Sequence, residues 1–368
     1  MIELAWLWEE IPMKFIHIAD VHLGAVPDSA MPWGEQRARE IWSSLEHIIS
    51  VCNEEEVDLL LIAGDLFHRQ PLVRELKEAD YLFQKLTTAR AVIMAGNHDY
   101  ISARSNYQGF SWNGRVSMYY KNTMEVIDFP EINTQVYGFS YLQRDILEPL
   151  YDEVRPQQNE EIHILLAHGG DEKDIPINRK KLQESGFDYI ALGHIHKPEI
   201  ISNRIAYAGS LEPLDKNEVG ERGYIFGEIV TTKEGLKKTD IRFVPSSFRE
   251  YKKITLMADP STTNGALRDQ AQEAMKDHGE QNIYLFEIQG VREEGIHFNK
   301  EAVKAMGNVL EVVDKSVPDY DFDAIYRENT DNMIGLFIQK IRENAGQDEV
   351  AKKALYYGLE ALLGARDQ

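Results

Sequence analysis

The run Gly96-Asn97-His98-Asp99 offers the clearest chemistry in this sequence. It follows an apolar segment over residues 89–95, which predicts a buried strand. Glycine lets the chain turn sharply and approach a ligand closely. Asn97 offers a neutral oxygen ligand, His98 a titratable ring, and Asp99 a carboxylate able to orient that ring. A polar turn after a strand explains these four residues equally well on its own. The choice between a polar turn and a functional site therefore depends on the residues at the other strand ends.

Four further predicted strands also end in metal-ligating side chains. The strands cover residues 14–19, 57–63, 162–167 and 188–192. The side chains at their ends are those of Asp20, His22, Asp65, His168, His194 and His196. A spacing of two residues puts two side chains on the same side of an extended chain. Asp20 and His22 can therefore reach one cation together, and the same holds for His194 and His196.

The ligand types indicate the kind of metal. Five of the 11 histidines stand at these strand ends, beside Asp and Asn. Mixed nitrogen and oxygen ligands suit Mn²⁺, Fe²⁺ or Zn²⁺, and the absence of cysteine from the set argues against a structural zinc. The ligands are too many for one ion, whereas two ions about 3.5–4 Å apart that share a carboxylate use them all. We expect two divalent ions per chain, with Mn²⁺ as the best fit and Fe²⁺, Zn²⁺ or Mg²⁺ as alternatives.

The elements that position these residues indicate an α/β fold. The strands before the ligands are continuously apolar, as in sheets covered on both faces. Amphipathic helices are predicted at 35–54 and 73–86, and the ligands lie at carboxyl ends, where open α/β sheets bind them. Cys52 falls on the apolar face of the first helix and is predicted to pack there. His17 lies within a strand, away from the ligands, and is predicted to be structural.

The chain changes character after residue 245. Strands at 251–257, 282–289 and 309–314, with helices at 264–278 and 299–306, predict a small α+β unit without a polar cluster. Two amphipathic helices follow at 331–344 and 348–363, separated by Gly346. We therefore expect an extension at 1–12, a main domain at 13–248, the α+β domain at 249–345 and a terminal helix at 346–368.

Composition restricts the classes of protein. The 368 residues carry a net charge of −21, so any binding to nucleic acid needs a local basic patch, metal ions or a partner. No apolar run approaches the ~18 residues of a membrane span. A single cysteine rules out an intrachain disulfide framework and fits a cytoplasmic protein. The first ten residues lack the features of a signal peptide, and both Met1 and Met13 are candidate start sites.

Five stretches together resemble a known superfamily. Their order and spacing resemble those of the five motifs of calcineurin-like metallophosphoesterases. The stretches are Asp20-x-His22, Gly64-Asp65, Gly96-Asn97-His98-Asp99, His168-Gly169 and Gly193-His194-x-His196. The resemblance implies a two-sheet sandwich flanked by helices. It implies a first metal held by Asp20, His22, Asp65 and His196, and a second held by Asp65, Asn97, His168 and His194. His98 would protonate the leaving oxygen, oriented by Asp99.

Within that superfamily, the sequence resembles the SbcD-type DNA repair exonucleases. The likeness rests on residues 18–24, 64–68, 206–213 and 220–224, and on the α+β unit, which would cap DNA. It implies an SbcC-type, SMC-like ATPase as partner, DNA as substrate and a homodimer. His68 matches a position implicated in the nuclease step, and a supporting role beside the ligands is its alternative. Aromatic candidates for the dimer contact, which could equally be core residues or substrate contacts, are Trp33, Tyr100, Tyr107, Phe110 and Trp112.

Two activities follow as hypotheses. The first is a two-metal DNA exonuclease or endonuclease that hydrolyses phosphodiester bonds in DNA repair or recombination. The second is a metallophosphoesterase for a small nucleotide or phosphomonoester, which the acidic composition favours. A non-catalytic scaffold fits less well, because every expected ligand is present.

Overall fold

The computed structural model describes residues 12–344 and 349–366. The chain divides into two compact units, one ending at Tyr251 and the other beginning at Lys252; the sequence predicted this boundary between residues 248 and 249. The predicted extension at 1–12, apart from Pro12, and the separator Gly346 lie outside the described residues.

The first unit alternates strands and helices in its first part and is richer in strands thereafter. In chain order its elements are β1 (Met13–Ile18), α1 (Gly34–Glu54), β2 (Leu59–Ala63), α2 (Val73–Phe83), β3 (Arg90–Met94), β4 (Val116–Met118), β5 (Glu125–Phe129), β6 (Thr134–Gly138), β7 (Ile162–His168), α3 (Arg179–Gln183), β8 (Tyr189–Gly193), β9 (Glu199–Ser202), β10 (Ile205–Tyr207), β11 (Gly223–Thr231) and β12 (Lys237–Pro245).

These strands form two sheets. In the first, the order is β12-β11-β1-β2-β3-β4, and the strands from β1 to β4 run parallel. In the second, the order is β5-β6-β7-β8-β10-β9, and β6, β7, β8 and β10 run parallel. The carboxyl ends of β1, β2 and β3 therefore lie side by side in one sheet, and those of β7 and β8 in the other.

The two sheets pack face to face across a buried apolar layer. Leu61 and Val92 of the first sheet share this layer with Ile164 and Leu166 of the second. Helices α1 and α2 cover the outer face of the first sheet, where Cys52 is fully buried, as predicted. This is the α/β two-sheet sandwich flanked by helices that the sequence predicted, and the fold class is confirmed.

The second unit contains a sheet with two helices, followed by a small helical group, and its first strand begins at the last residue of the first unit. Its elements are β13 (Tyr251–Ala258), α4 (Asn264–His278), β14 (Ile283–Arg292), α5 (Lys300–Lys304), β15 (Val309–Asp314), β16 (Val317–Pro318), α6 (Phe322–Glu328), α7 (Met333–Asn344) and α8 (Glu349–Arg366). Ile334, Ile338 and Leu359 form the buried centre of the helical group. The predicted terminal segment, 346–368, thus supplies a helix that packs within the second unit. Among the described residues, every helix is too short or too polar to cross a bilayer.

His17 is buried between the two sheets, and we predict that it makes the protein sensitive to acid. Its Nδ1 lies 2.8 Å from the Tyr189 hydroxyl, and burial lowers its pKa from 6.5 to about 3. Between these values the unfolded chain binds a proton that the folded chain does not. Protonation of His17 in the unfolded chain therefore leaves the free energy of unfolding unchanged above pH 6.5. It lowers that free energy as the pH falls toward 3, by about 2 kcal/mol at pH 5.

Urea unfolding at pH 7 and pH 5 measures this effect. A His17→Gln variant should lose about 2 kcal/mol less unfolding free energy over that interval than the unmodified protein. The matched control is His47→Gln, on the exposed face of α1. Equal losses in the unmodified protein and in His17→Gln would show that His17 does not carry the sensitivity.

Candidate active site

Loops at the carboxyl ends of five strands bring the predicted ligands together. Asp20 and His22 follow β1, Asp65 follows β2, and Asn97 follows β3. On the other sheet, His168 is the last residue of β7, while His194 and His196 follow β8. Five of these side chains are buried, and His194 and His196 are half-buried. The site is thus built jointly by the two parallel regions.

Asp65 lies between two groups of donors. Its Oδ2 is 3.8 Å from Nε2 of His22 and 3.5 Å from Nε2 of His168. Its Oδ1 accepts a hydrogen bond from the backbone N–H of His98 at 2.9 Å. One oxygen is therefore held by the chain, and the other faces both groups, which is the position required of a bridging ligand.

The first group consists of Asp20, His22 and His196. One donor atom from each residue lies within 4.8 Å of the others, and the Nε2 atoms of His22 and His196 face each other at 3.1 Å. Two imidazole nitrogens at this separation suit a shared cation, because both can then donate an electron pair to it. The donor set fits a divalent transition metal.

The second group is centred on His168. Its Nδ1 donates to the carbonyl oxygen of Ala63 at 2.8 Å, which leaves Nε2 free to accept. That Nε2 lies 3.0 Å from Oδ1 of Asn97. The ring of His194 lies 5.2 Å from the ring of His168, centroid to centroid, and its own Nε2 is 3.0 Å from Oδ2 of Asp171.

Burial and charge make this site ready for cations. Burial holds the pKa of His22 well below its usual range, so its ring is neutral and able to bind metal. Burial alone would lower the pKa of His168, but the carboxylates of Asp65 and Asp20 outweigh it and raise that pKa to about 9. A cation bound beside Asp65 would compete with this proton, so metal affinity should rise with pH.

Strained backbone accompanies the ligands. Asp20, His22 and Asp65 have φ angles of 49°, 53° and 50°, and His194 has a φ of 92°. Such left-handed conformations cost on the order of 1–3 kcal/mol in residues other than glycine and cluster at functional sites. The surrounding sheets hold these residues in place, since each follows a strand buried in the sandwich core.

Three glycines make room for the ring of His168. A Cβ on Gly64 would lie 2.2 Å from Nδ1 of that ring, and one on Gly193 would lie 1.9 Å from the carbonyl oxygen of Ala63. A Cβ on Gly96 would lie 2.3 Å from Oδ1 of Asp65 and 2.8 Å from Nε2 of His168. The glycines of these motifs are therefore explained by close approach between the loops and the ring.

A Gly96→Ala substitution should weaken binding of Mn²⁺ about tenfold or more, because the new methyl group displaces Asp65 and His168. We expect a loss of about 1–3 kcal/mol in unfolding free energy as well, the usual cost of overpacking. Titration calorimetry and urea unfolding measure the two effects. The control is Gly109→Ala, whose Cβ would meet no atom within 4 Å. Unchanged Mn²⁺ affinity in Gly96→Ala would contradict the close packing described above.

His98 and His68 lie at the margin of the first group. Nitrogen atoms of His22, His68 and His98 lie within 4.8 Å of one another. Nδ1 of His98 is 3.1 Å from the carbonyl oxygen of His68, and the two rings stack at 5.5 Å. Nδ1 of His68 is 3.3 Å from Nδ1 of His22. His98 is thus beside the predicted metals, and its Nε2 is the nitrogen left to exchange a proton.

The carboxylate of Asp99, which was predicted to orient His98, accepts hydrogen bonds from backbone and tyrosine donors. Its Oδ1 accepts from the backbone N–H of Gly96 at 2.8 Å, and its Oδ2 accepts from the backbone N–H of Phe67 and the hydroxyl of Tyr107. The buried carboxylate therefore ties the loop after β2 to the loop after β3, and the His98 ring is oriented by the carbonyl of His68 instead. Asp99 adjoins His98 in the sequence, but the nearby backbone donors of Gly96 and Phe67 determine the direction of its side chain.

The aromatic residues proposed for a dimer contact are largely core residues. Trp33 and Tyr107 are buried, and Phe110 and Trp112 pack against the core beside α1 and α2. Tyr100 packs against the core outside the second sheet. Tyr100, Phe110 and Trp112 are only half-buried, and the homodimer remains a prediction.

Sequence reasoning missed two carboxylates beside the ligands. Oε1 of Glu218 is 2.6 Å from Nδ1 of His196, and Asp171 contacts His194 as described above. Both lie in irregular segments, where periodicity gives no signal. One indication was available in the sequence, for Asp171 alone, which lies three residues after His168.

Comparisons with known proteins agree with the motifs. A family model described as "Calcineurin-like phosphoesterase" matches residues 13–198. The chain is 28% identical over 233 residues to an uncharacterized metallophosphoesterase, YhaO, of Bacillus subtilis, covering 58% of this chain and 56% of that protein. It is 30% identical over 235 residues to the DNA double-strand break repair protein Mre11 of Aeropyrum pernix, covering 57% and 56%.

The match thus spans little more than half the length of these curated relatives. Among solved structures, the chain is similar to one titled "GAP50 the anchor in the inner membrane complex of Plasmodium", with 11% identity and a TM-score of 0.39 over 64% of this chain and 84% of that one.

Proposed function

Because the chain belongs to the calcineurin-like phosphoesterase family, we propose that it is a two-metal-dependent DNA nuclease that hydrolyses phosphodiester bonds in DNA repair or recombination. The family binds two divalent metals and hydrolyses phosphoesters. The observation that carries the proposal is the place of Asp65, whose Oδ2 lies 3.8 Å from His22 and 3.5 Å from His168. His98 stands at the edge of the same site, with its ring 4.8 Å from the ring of His22, centroid to centroid.

The site residues divide the work of phosphodiester hydrolysis. Asp20, His22, Asp65 and His196 would hold one metal, and Asp65, Asn97, His168 and His194 the other. The bound metals would neutralise phosphate oxygens and supply a nucleophile at neutral pH. In its protonated form, His98 would carry a proton on Nε2 while its Nδ1–H donates to the carbonyl oxygen of His68, and it would deliver the Nε2 proton to the departing oxygen. His68 supports this geometry from the side of His22.

The resemblance to a DNA repair protein supports DNA as the substrate. The relative named for DNA double-strand break repair is 30% identical to this chain over 235 residues. The net charge of −21 argues against binding of DNA by this chain alone, because affinity for DNA normally depends on basic groups that neutralise phosphates. The proposal therefore includes an SbcC-type, SMC-like ATPase whose basic surfaces would supply affinity for DNA.

The acidic composition favours a second candidate, a phosphoesterase for a small nucleotide or phosphomonoester. An assay of the purified protein with Mn²⁺ separates the two. Single- and double-stranded DNA, a small phosphodiester and a phosphomonoester are compared, with and without the ATPase. Cleavage of DNA that the ATPase stimulates supports the nuclease. Turnover confined to small phosphomonoesters or nucleotides would overturn it.

The surface of α8 is proposed to dock the ATPase. Leu359 anchors this helix in its own unit, while Val350 and Tyr357, seven positions apart, are 74% and 69% exposed. We predict that Val350→Asp combined with Tyr357→Asp reduces co-purification of the ATPase at least tenfold, because charges on an apolar contact face are costly to desolvate. The control is Leu236→Asp, at a residue that is 69% exposed in the first unit. Undiminished co-purification would remove α8 from the docking surface.

A further inference from the structure

A histidine that binds a metal presents one ring nitrogen to the ion, and the N–H at the other nitrogen needs an acceptor. That acceptor fixes both the tautomer and the orientation of the ring. His168 shows the pattern, with Nδ1 on the carbonyl of Ala63 and Nε2 toward Asn97. The two histidines after β8 differ from His168, because carboxylates take the place of the backbone carbonyl.

Glu218 holds His196 from outside the first group. Its Oε1 lies 2.6 Å from Nδ1 of His196. Its Oε2 accepts from the backbone N–H of Leu214 at 2.8 Å, so the carboxylate is itself fixed. The opposite nitrogen of the ring, Nε2, faces Nε2 of His22 at 3.1 Å. The contact therefore assigns Nε2 of His196 to the metal.

Asp171 holds His194 through the other ring nitrogen. Its Oδ2 lies 3.0 Å from Nε2 of His194. Its Oδ1 accepts from the backbone N–H groups of Lys173 and Asp174 at 2.7 and 2.8 Å, which fixes this carboxylate too. Nδ1 of His194 is then the nitrogen left for the second metal. The two histidines, two residues apart, would thus bind through opposite nitrogens.

We propose that Glu218 and Asp171 are positioning residues, one for each metal, that select the ligating nitrogens Nε2 of His196 and Nδ1 of His194. This inference rests on the proposed two-metal site. It explains why one short segment can serve both metals. Each ring engages a carboxylate through a different nitrogen, which would leave Nε2 of His196 for one metal and Nδ1 of His194 for the other.

The carboxylates of Asp171 and Asp174 offer a competing arrangement. Asp174 is buried, and its Oδ2 lies 3.8 Å from Nε2 of His194. A third cation held by these two carboxylates and Nε2 of His194 would take that nitrogen away from Asp171. The hydrogen-bond distance of 3.0 Å between Asp171 and His194, with the second oxygen of Asp171 already engaged, favours the positioning role.

Titration calorimetry of the metal-free full chain with Mn²⁺ tests the proposal. Glu218→Ala and Asp171→Ala should each weaken one of two binding events 10–100-fold, the usual effect of losing such a partner. Glu218→Gln and Asp171→Asn keep an acceptor and should recover much of the loss. Glu221→Gln and Glu172→Gln, at exposed neighbours, are the charge controls. In a His194→Ala background, Asp171→Ala should cause no further loss.

Nitrogen-15 NMR of the Zn²⁺-loaded protein reads the tautomers directly. We expect the proton on Nδ1 of His196 and on Nε2 of His194. The reverse tautomer at either ring, or unchanged Mn²⁺ binding in both Ala variants, would overturn the proposal while leaving the two-metal site intact. A third Mn²⁺ that disappears in Asp174→Asn would overturn the role of Asp171. A wild-type chain that binds fewer than two ions would instead count against the proposed function.

Discussion

An Asp65→Ala variant is expected to lose both metal ions and, with them, measurable hydrolysis of phosphodiesters. The reason is geometric, because one oxygen of Asp65 faces both His22 and His168. Any other ligand substitution should affect chiefly one ion. Elemental analysis after dialysis against Mn²⁺ measures the effect as a fall from two ions per chain to near none.

Two further variants sharpen that experiment. Asp65→Asn keeps an oxygen that can accept from the backbone of His98, so a loss of metal there isolates the role of the charge. Asp240→Ala removes an exposed carboxylate of the first unit and should keep both ions. If Asp65→Ala still held two ions per chain, the assignment of Asp65 as the bridge would be wrong.

A His98→Ala variant is expected to keep both metals while hydrolysis falls about 10²–10⁴-fold, the usual contribution of general acid catalysis. The metals should stay because the backbone N–H of His98, and not its ring, contacts Asp65. Steady-state rates and metal content, measured on the same preparation, report the two properties separately.

The choice of substrate tests the proton itself. A diester that releases p-nitrophenolate needs little protonation of its leaving group, so His98→Ala should impair its cleavage much less than the cleavage of an alkyl diester. Loss of metal from His98→Ala would make His98 a ligand. An equal fall in rate for both leaving groups would show that His98 is not the general acid.

The sequence predicted the fold and the gathering of the ligands because both depend on local pattern. Continuous apolar runs marked β1, β2, β3, β7 and β8, and parallel strands bring their carboxyl ends together whatever the loops between them do. Short exposed elements were missed: α3 has five residues, and the strand Glu199–Ser202 has no fully buried side chain. A burial pattern of that kind leaves little periodicity to detect.

The finer geometry of the site could not be predicted, because it depends on contacts between distant loops. Asp99 adjoins His98 in the chain, yet it binds donors on Gly96, Phe67 and Tyr107. Glu218 reaches His196 across 22 residues of chain. Such partners depend on how the loops pack after the two sheets have come together. The pattern of a single sequence segment carries no information about that packing.

The most direct test of the two-metal site is anomalous scattering from crystals of the Mn²⁺-loaded protein. We expect two peaks about 3.5–4 Å apart, both adjoining the carboxylate of Asp65, one beside His22 and His196 and the other beside Asn97 and His168. A single peak, or two peaks of which only one adjoins Asp65, would contradict the shared-carboxylate site on which the proposed mechanism rests.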